Sequence, residues 1–213
     1  MLNIGHIPDV IFAVDAVKQL PKIAQKLHGA KRAFLITDKG LTRAGVTDQV
    51  SKVLEGGGLE VTVYDEVVPN PPAAVVNSGA DILRSLVAAS GQDNSTIVVT
   101  LGGGSSMDAG KSIAMLAAQP SGTTILDFVY APRLNSERNG LDFTSLRPKA
   151  RPQGALPIIA VPTTSGTASE TNGAAVVSST IEGQCGGLNE HIATSMNDWV
   201  QLATFHTSHA LPD

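Results

Sequence analysis

The sequence predicts an α/β fold in which a doubly wound, mainly parallel sheet is covered by helices on both faces. One observation and one rule of topology support this fold class. Short, nearly continuous apolar runs alternate with amphipathic stretches along most of the chain, and such runs are typical of strands whose two faces are both buried. Right-handed crossovers between parallel strands then place helices on both sides of the sheet.

The first half of the chain follows this alternation closely. A helix is predicted from the capping residue Asp15 to Gly29, and RAFLITD, which ends at Asp38, is the first clear strand. VTDQVSKVLEGGG predicts a helix that ends at glycines, and LEVTVYD predicts the second strand. After the turn VPNPP, the segment AAVVNSGADILRSLVAAS predicts a helix with apolar residues on one face: Val76, Ala80, Leu83 and Val87.

The second half begins regularly and then changes character. STIVVTL predicts a third strand, SSMDAGKSIAMLAA a helix, LPIIAVP a fourth strand and AAVVSS a candidate fifth strand. Residues 131–154 are polar and rich in Arg and Pro, which predicts a long surface loop. After Ser179 the chain has no Lys or Arg and contains three of the five histidines. We therefore expect an α/β domain at residues 1–179 and an atypical tail at 180–213.

Composition excludes several classes of partner. The net charge of -4 and the pI near 5.7 argue against nucleic acid, which needs clustered Lys and Arg.

The single cysteine, Cys185, excludes an internal disulfide and favours a reducing compartment. We expect neither a secretion signal nor a membrane span, because no basic segment precedes an apolar core in the first residues and no apolar run is long enough to cross a bilayer. We predict a soluble, cytoplasmic protein.

A glycine run suggests an anion-binding loop. In TIVVTLGGGSSMDAGKSIAML, residues 96–116, three glycines separate the third strand from its helix. Gly102, Gly103 and Gly104 allow a ligand to approach the backbone, Ser105 or Ser106 can cap the helix, and a helix N-terminus favours phosphate. The alternative is a tight turn with a serine cap.

Two familiar phosphate motifs do not match this loop. Ser105 stands where a Walker A loop has its first glycine, and Met107 stands where the dinucleotide fingerprint has its third. We therefore expect Lys111 to be a surface or helix-packing residue.

Further polar groups follow the other strands. VPTTSGTASE, residues 161–170, holds five hydroxyl side chains among ten residues, which suit a ribose, a nicotinamide amide or a phosphate, or else cap the next helix. Asp38 can bind ribose hydroxyls and repel a 2′-phosphate, or cap a helix. Asn70 is a turn residue or a cofactor contact. Because ligands bind at the carboxyl ends of parallel strands, these groups are expected to converge.

Together these segments resemble the iron-containing (group III) alcohol dehydrogenases, a family related to glycerol dehydrogenase and dehydroquinate synthase. The matching segments are LITDKGL, VVPNPP, LGGGSSMDAGKSIAML and LPIIAVPTTSGTASE. The resemblance implies a Rossmann-like N-terminal domain of the dehydroquinate-synthase type. It implies that Asp38 binds the adenosine ribose and that Asn70 lies along the cofactor. It assigns the pyrophosphate to Gly103, Gly104, Ser105, Ser106 and Asp108, and other parts of the dinucleotide to Thr163 and Thr164.

The resemblance also implies an activity: hydride transfer between a small alcohol or aldehyde and NAD, with NADP as the alternative. Family members use iron or zinc to polarise the alcohol oxygen, and they commonly form homo-oligomers. Asp38 favours NAD.

The family's metal ligands, one Asp and three His on a helical C-terminal domain, have no clear match. In FHTSHALPD, His206 and His209 are present, but Phe205 and Pro212 stand at the acidic positions. The lysine usually found after TTSGTASE is also missing, since Arg151 is the last Lys or Arg in the chain. We therefore assign no metal ligand and no catalytic residue, and we expect weak or no activity from this chain alone. The alternative is an NAD-binding module or a truncated product without catalytic activity.

Overall fold

The computed structural model describes most of the chain. The described residues are 9–91, 95–128, 133–135, 140–142, 152–180, 189–195 and 203–205. Several residues singled out from the sequence lie outside this part: Arg151, Cys185, His206, His209 and Pro212.

The first half of the chain forms the predicted succession of strands and helices. Its elements are β1 (Val10–Phe12), α1 (Leu20–His28), β2 (Arg32–Asp38), α2 (Lys39–Arg43), α3 (Val46–Gly56), β3 (Glu60–Val67) and α4 (Ala73–Ala89). The helix predicted from Asp15 begins later than expected, because a short 3₁₀ turn, Ala16–Gln19, precedes α1. Pro21 lies in the first turn of α1, where its missing amide costs no hydrogen bond. The Asp15 carboxylate pairs with Lys18 and caps no backbone amide.

The second half contains the glycine run and several short strands. Its elements are β4 (Thr96–Gly102), α5 (Gly104–Ala117), β5 (Arg133–Asn135), β6 (Gly140–Asp142), β7 (Ile158–Pro162), β8 (Ala174–Thr180), β9 (Asn189–Ser195) and β10 (Ala203–Phe205). β5 and β6 form an antiparallel pair within the predicted surface loop. The polar composition of that segment did not predict these strands.

One six-stranded parallel sheet organises the fold, with the order β1-β10-β7-β4-β2-β3. β2 lies between β3 and β4, so the chain moves outward from β2 to β3 and then crosses back to β4. The strand order therefore reverses between β2 and β4. In open α/β sheets such a reversal opens a crevice at the carboxyl ends of the strands, and ligands bind there.

Two apolar clusters cover the two faces of this sheet. On one face, Phe34, Ile36 and Val98 pack against residues of α4 and α5. On the other face, Leu35 and Val99 pack against residues of α1 and α3. Successive strand residues thus enter opposite clusters, which explains why the strands are apolar without alternation. The predicted doubly wound α/β fold is confirmed.

The predicted fifth strand does not join the parallel sheet. β8 pairs antiparallel with β9, and its main-chain link to the rest of the fold includes the Ser178 amide, which donates to the Pro71 carbonyl at 2.9 Å. β10, from the predicted tail, lies between β1 and β7 in the main sheet. The division of the chain at residue 179 stays a prediction.

Among the described residues, none of the helices has both the length and the apolar character needed to cross a bilayer.

Candidate functional site

A pocket of about 440 Å³ opens at the carboxyl ends of β2, β3 and β4, where the strand order reverses. Its lining comes from the end of β2 with the start of α2, from the end of β3 with the turn after it, and from the glycine run. The lining residues are Asp38, Lys39, Gly40, Arg43, Val67, Val68, Pro69, Gly103, Gly104, Ser105 and Ser106. Five of the residues predicted to bind cofactor are therefore brought together: Asp38, Gly103, Gly104, Ser105 and Ser106.

Asp38 caps the helix that begins one residue later. Its Oδ1 accepts hydrogen bonds from the amides of Gly40 at 2.7 Å and Leu41 at 3.1 Å. Extended backbone at Asp38 turns the chain from β2 into α2. Within the described residues, Oδ2 has no protein partner. Asp38 can therefore fill its capping role and still present an oxygen to a ligand.

Two basic side chains lie beside Asp38. Lys39 Nζ pairs with Glu66 Oε2 at 2.7 Å, and this hydrogen bond raises the pKa of Lys39 above its ordinary value. Arg43, at the end of α2, is exposed and lines the same pocket. The rim of the pocket thus carries both signs of charge.

Asn70 forms the turn between β3 and α4. Its backbone adopts a left-handed conformation with φ of 53°, which asparagine tolerates better than most residues. The backbone amide of Asn70 donates a hydrogen bond to Ser105 Oγ at 3.3 Å, so the turn is attached to the glycine run. Asn70 itself is not among the lining residues, although Val68 and Pro69 are.

The glycine run leads directly into α5. Gly103 occupies the N-cap position without a side-chain cap, so the predicted serine cap is wrong. Ser105 and Ser106 already lie in the first turn of the helix. The Met107 amide makes the first helical bond, to the Gly103 carbonyl at 3.0 Å. The earlier amides of a helix have no partner within it, so the N-terminus of α5 presents donors toward the pocket.

The hydroxyl-rich segment lies directly over these glycines. The Thr163 amide donates to the Gly102 carbonyl at 2.9 Å. A Cβ on Gly103 would lie 3.0 Å from Thr164 Oγ1, and a Cβ on Gly104 would lie 2.8 Å from Thr167 Cγ2. Thr163 and Thr164 are thus placed beside the glycine run and remain exposed. The glycines permit the approach of this segment as well as that of a ligand.

Asp108 faces away from the pocket lining. It is buried, its Oδ2 accepts from the Val176 amide at 3.0 Å, and its Oδ1 lies 3.0 Å from Lys111 Nζ. The structure therefore places Asp108 between α5 and β8, apart from the other predicted pyrophosphate ligands.

Lys111 is almost completely buried, with 1% of its surface exposed. Of the two positions predicted for it, the surface position is wrong and the position packed inside the fold is correct. Burial lowers the pKa of Lys111, and the carboxylates of Asp108 and Glu170 oppose that shift. The sequence did not indicate this cluster. A usable signal was present, since a charged pair three residues apart in an otherwise uncharged helix with many apolar residues needs buried partners.

The described residues do not fit a metal ion. Among them, no three His, Cys, Asp or Glu side chains lie close enough together to hold one. The side chains of the predicted tail, where His206 and His209 lie, are outside the described part.

The chain matches the sequence model of the iron-containing alcohol dehydrogenases over residues 8–193. This match extends past residue 179 into the predicted tail.

Individual relatives agree with the family match. The chain is 32% identical over 173 residues to choline dehydrogenase of Bacillus subtilis, covering 81% of this chain and 37% of that protein. It is 35% identical to alcohol dehydrogenase 4 of Schizosaccharomyces pombe, covering 76% of this chain and 31% of that protein. It is 29% identical to the NAD-dependent methanol dehydrogenase of Bacillus methanolicus, covering 83% and 39%. The chain thus spans well under half the length of these relatives.

Solved structures show the same partial likeness. An alcohol dehydrogenase from an archaeal halo-thermophile of a Red Sea brine pool superposes with a TM-score of 0.72 at 27% identity, covering 97% of this chain and 46% of that one. A 1,3-propanediol oxidoreductase superposes with a TM-score of 0.70 at 27% identity, with the same coverage of the two chains. From the family match and these relatives together, the chain belongs to the iron-containing alcohol dehydrogenase family.

Proposed function

We propose that this chain forms the NAD-binding part of an alcohol dehydrogenase, which transfers hydride between a small alcohol or aldehyde and the nicotinamide ring. One observation carries the proposal. The pocket at the reversal of strand order joins Asp38 at the end of β2 with the N-terminus of α5 at the end of β4. This arrangement separates a carboxylate suited to a ribose from amides suited to a pyrophosphate.

The glycine run supplies the phosphate part of the proposed site. Gly103 and Gly104 carry no side chain over the first turn of α5, whose amides and dipole favour negative charge. Ser105 adds a hydroxyl at the pocket wall. Thr163 and Thr164, next to the run, are proposed to contact other parts of the dinucleotide. Asp108 is better suited to binding Lys111 than to binding a pyrophosphate, because the carboxylate and the pyrophosphate are both negatively charged and repel each other.

The choice of NAD over NADP is proposed from Asp38. A carboxylate accepts hydrogen bonds from both ribose hydroxyls and repels a 2′-phosphate. The NAD-dependent methanol dehydrogenase of Bacillus methanolicus, one of the relatives, supports the same cofactor. Small alcohols as substrates are supported by the names of several relatives. A cytoplasmic location stays a prediction.

A second candidate function is cofactor binding without catalysis. It is favoured by the sequence of the predicted tail, where Phe205 and Pro212 occupy the positions of two acidic residues in the family's metal motif. In the family a divalent metal stabilises the developing charge on the alcohol oxygen. No step of the reaction is assigned to the described residues.

Calorimetric titration of the purified chain with NADH tests the proposed site. Saturable binding to the wild-type chain is expected. Gly104→Val should weaken it by about tenfold or more, because the new side chain would press on Thr167 and intrude on the phosphate position. Gly56→Val is the matched control, since no atom lies within 4 Å of the new Cβ there.

Three outcomes of this titration and of a turnover assay distinguish the candidates. A well-folded wild-type chain that does not bind NADH would refute both. NADH binding together with metal-stimulated oxidation of a small alcohol by NAD⁺ would refute the binding-only function. NADH binding without turnover in the presence of Fe²⁺ or Zn²⁺ would favour it for this chain.

A further inference from the structure

A buried ammonium group joins α5 to the segment that covers the glycine run. Lys111 Nζ lies 2.8 Å from the Ser169 carbonyl oxygen and 3.4 Å from both the carbonyl and the side-chain oxygen of Asn172. It also contacts the Ala174 carbonyl oxygen and lies 3.0 Å from Asp108 Oδ1. An ammonium group is costly to bury, and oxygen partners on several sides offset that cost.

The positions of these partners in the sequence indicate what the ammonium holds. Three of the oxygens are main-chain carbonyls of residues 169–174, which link the hydroxyl-rich segment to β8. Asp108, on the same helix, adds a second attachment, since its Oδ2 accepts from the Val176 amide. Both members of the charged pair on α5 therefore bind the same stretch of main chain.

Asn172 completes the connection from the side of the segment. Its Oδ1 accepts from the Ala174 amide at 2.9 Å, and its Nδ2 donates to the Ala168 carbonyl at 2.9 Å. Ala168 has a φ of 54°, a left-handed conformation that is unfavourable for alanine and needs support from neighbouring groups. Asn172 thus connects the Lys111 cluster to the end of the hydroxyl-rich segment.

The other end of that segment is attached to the glycine run. The Thr163 amide bonds the Gly102 carbonyl, and Thr164 and Thr167 lie against Gly103 and Gly104. Residues 163–170 are therefore anchored at the end of β4 and again at Lys111, with exposed side chains between the anchors. A segment held at both ends loses little further freedom when a ligand binds.

We propose that Lys111 is a positioning residue of the cofactor site. Its ammonium group fixes residues 163–170 over the glycine run, so that the threonine hydroxyls are ordered before the dinucleotide binds. The effect on cofactor affinity rests on the proposed function; the effect on the segment itself does not.

Lys111→Met removes the ammonium group and keeps a side chain of similar length. Hydrogen-deuterium exchange of residues 163–176 and NADH affinity are the two measurements. Exchange of these amides should rise about tenfold beyond any global change in stability, and the NADH dissociation constant should rise about tenfold. Ile113→Ala is the matched control on α5. Ile113 packs against Gly79 of α4, so its loss should destabilise the fold without selectively loosening the segment.

Asn172→Ala is the second variant, because Asn172 is exposed and its replacement leaves both buried charges paired. It should increase exchange in the same residues, about threefold, and weaken NADH binding in proportion. If Lys111→Met does not fold, the result for Asn172→Ala tests the proposal by itself.

Unchanged exchange of residues 163–176 in every folded variant would overturn the proposal, and so would NADH affinity within twofold of wild type in Lys111→Met. A wild-type chain that does not bind NADH would refute the proposed function alone, because the exchange experiment needs no cofactor.

Discussion

Single residues at this site make contacts that the sequence did not reveal. The glycine run was predicted to admit a phosphate, and the structure adds that Gly103 and Gly104 lie under Thr164 and Thr167. These contacts join positions about sixty residues apart, so no local pattern could predict them. The burial of Lys111 has the same explanation, because its oxygen partners at residues 169–174 come from another part of the chain.

Asp38→Asn separates the two purposes of Asp38. Asparagine caps helices as well as aspartate does, so the free energy of unfolding should change by less than about 0.5 kcal/mol. The lost negative charge should raise NADPH affinity relative to NADH by about tenfold. Calorimetric titrations with both cofactors, together with urea denaturation, measure the two effects.

Asp38→Ala is the comparison, because it should lose about 1 kcal/mol through the missing cap. An Asp38→Asn variant that still binds NADH with an unchanged preference would show that the carboxylate does not select the cofactor.

Tyr64 should make stability fall at alkaline pH. It is 5% exposed and its hydroxyl donates to the Val75 carbonyl at 2.7 Å. Burial raises the pKa of Tyr64 above its ordinary value. The contribution of Tyr64 to the free energy of unfolding is therefore complete below about pH 10. Above that pH it falls by up to about 1.4 kcal/mol per pH unit, because the tyrosine ionises in the unfolded chain before it ionises in the folded one.

Urea denaturation of wild type and Tyr64→Phe between about pH 9 and about pH 11 tests this. The wild-type chain should lose stability more steeply, while the phenylalanine variant starts about 1 kcal/mol lower because it lacks the hydroxyl bond. Lys111 is present in both proteins, so its effect on stability is the same in both and does not contribute to the difference between the two curves. Parallel curves would contradict the prediction.

At the level of elements, hydrophobic pattern predicted the main strands and helices well. β2, β4 and β7 are mostly apolar and almost completely buried, and they are neighbours in the interior of the sheet. The first and last residues of an element were harder to predict where side-chain contacts determine them. The serine cap of α5 was wrong because the chain turns at Gly103 and brings Ser106 back against Gly102.

Gly110→Ala tests how closely α5 packs on the sheet. A Cβ at this position would lie 1.9 Å from Thr100 Cγ2 of β4. The helix would have to move, which should cost up to about 3 kcal/mol against a gain of about 1 kcal/mol in helix propensity, so we expect a net loss of up to about 2 kcal/mol. Urea denaturation measures the free energy of unfolding.

Gly56→Ala is the matched control, since no atom lies within 4 Å of its new Cβ at the end of α3. Its stability should be unchanged or raised. A Gly110→Ala variant as stable as wild type would mean that α5 can shift without cost.

Across the whole molecule, the order of the strands could not be predicted from the sequence. Local periodicity indicates which segments are strands, but the pairing of β10 with β1 and β7 joins distant parts of the chain. Five of the residues expected to converge line one pocket, because parallel pairing and the reversal of order between β2 and β4 bring these strand ends together. The same rule explains why Asp108, a full turn into α5, was not brought to the pocket lining.

One edge of the sheet predicts how the whole chain behaves at high concentration. β1 is an edge strand, and Phe12 and the nearby Val14 are 73% and 78% exposed. Exposed apolar side chains on a sheet edge favour association. The weight-average mass from sedimentation should therefore rise with concentration, and Phe12→Ser with Val14→Ser should weaken this association by about tenfold or more, since a buried Phe contributes about 1.5–3 kcal/mol. Ile82→Ser, on the surface of α4 and 42% exposed before the change, is the control and should leave the association as it is in wild type. Equal association of all three proteins would place the contact elsewhere on the molecule.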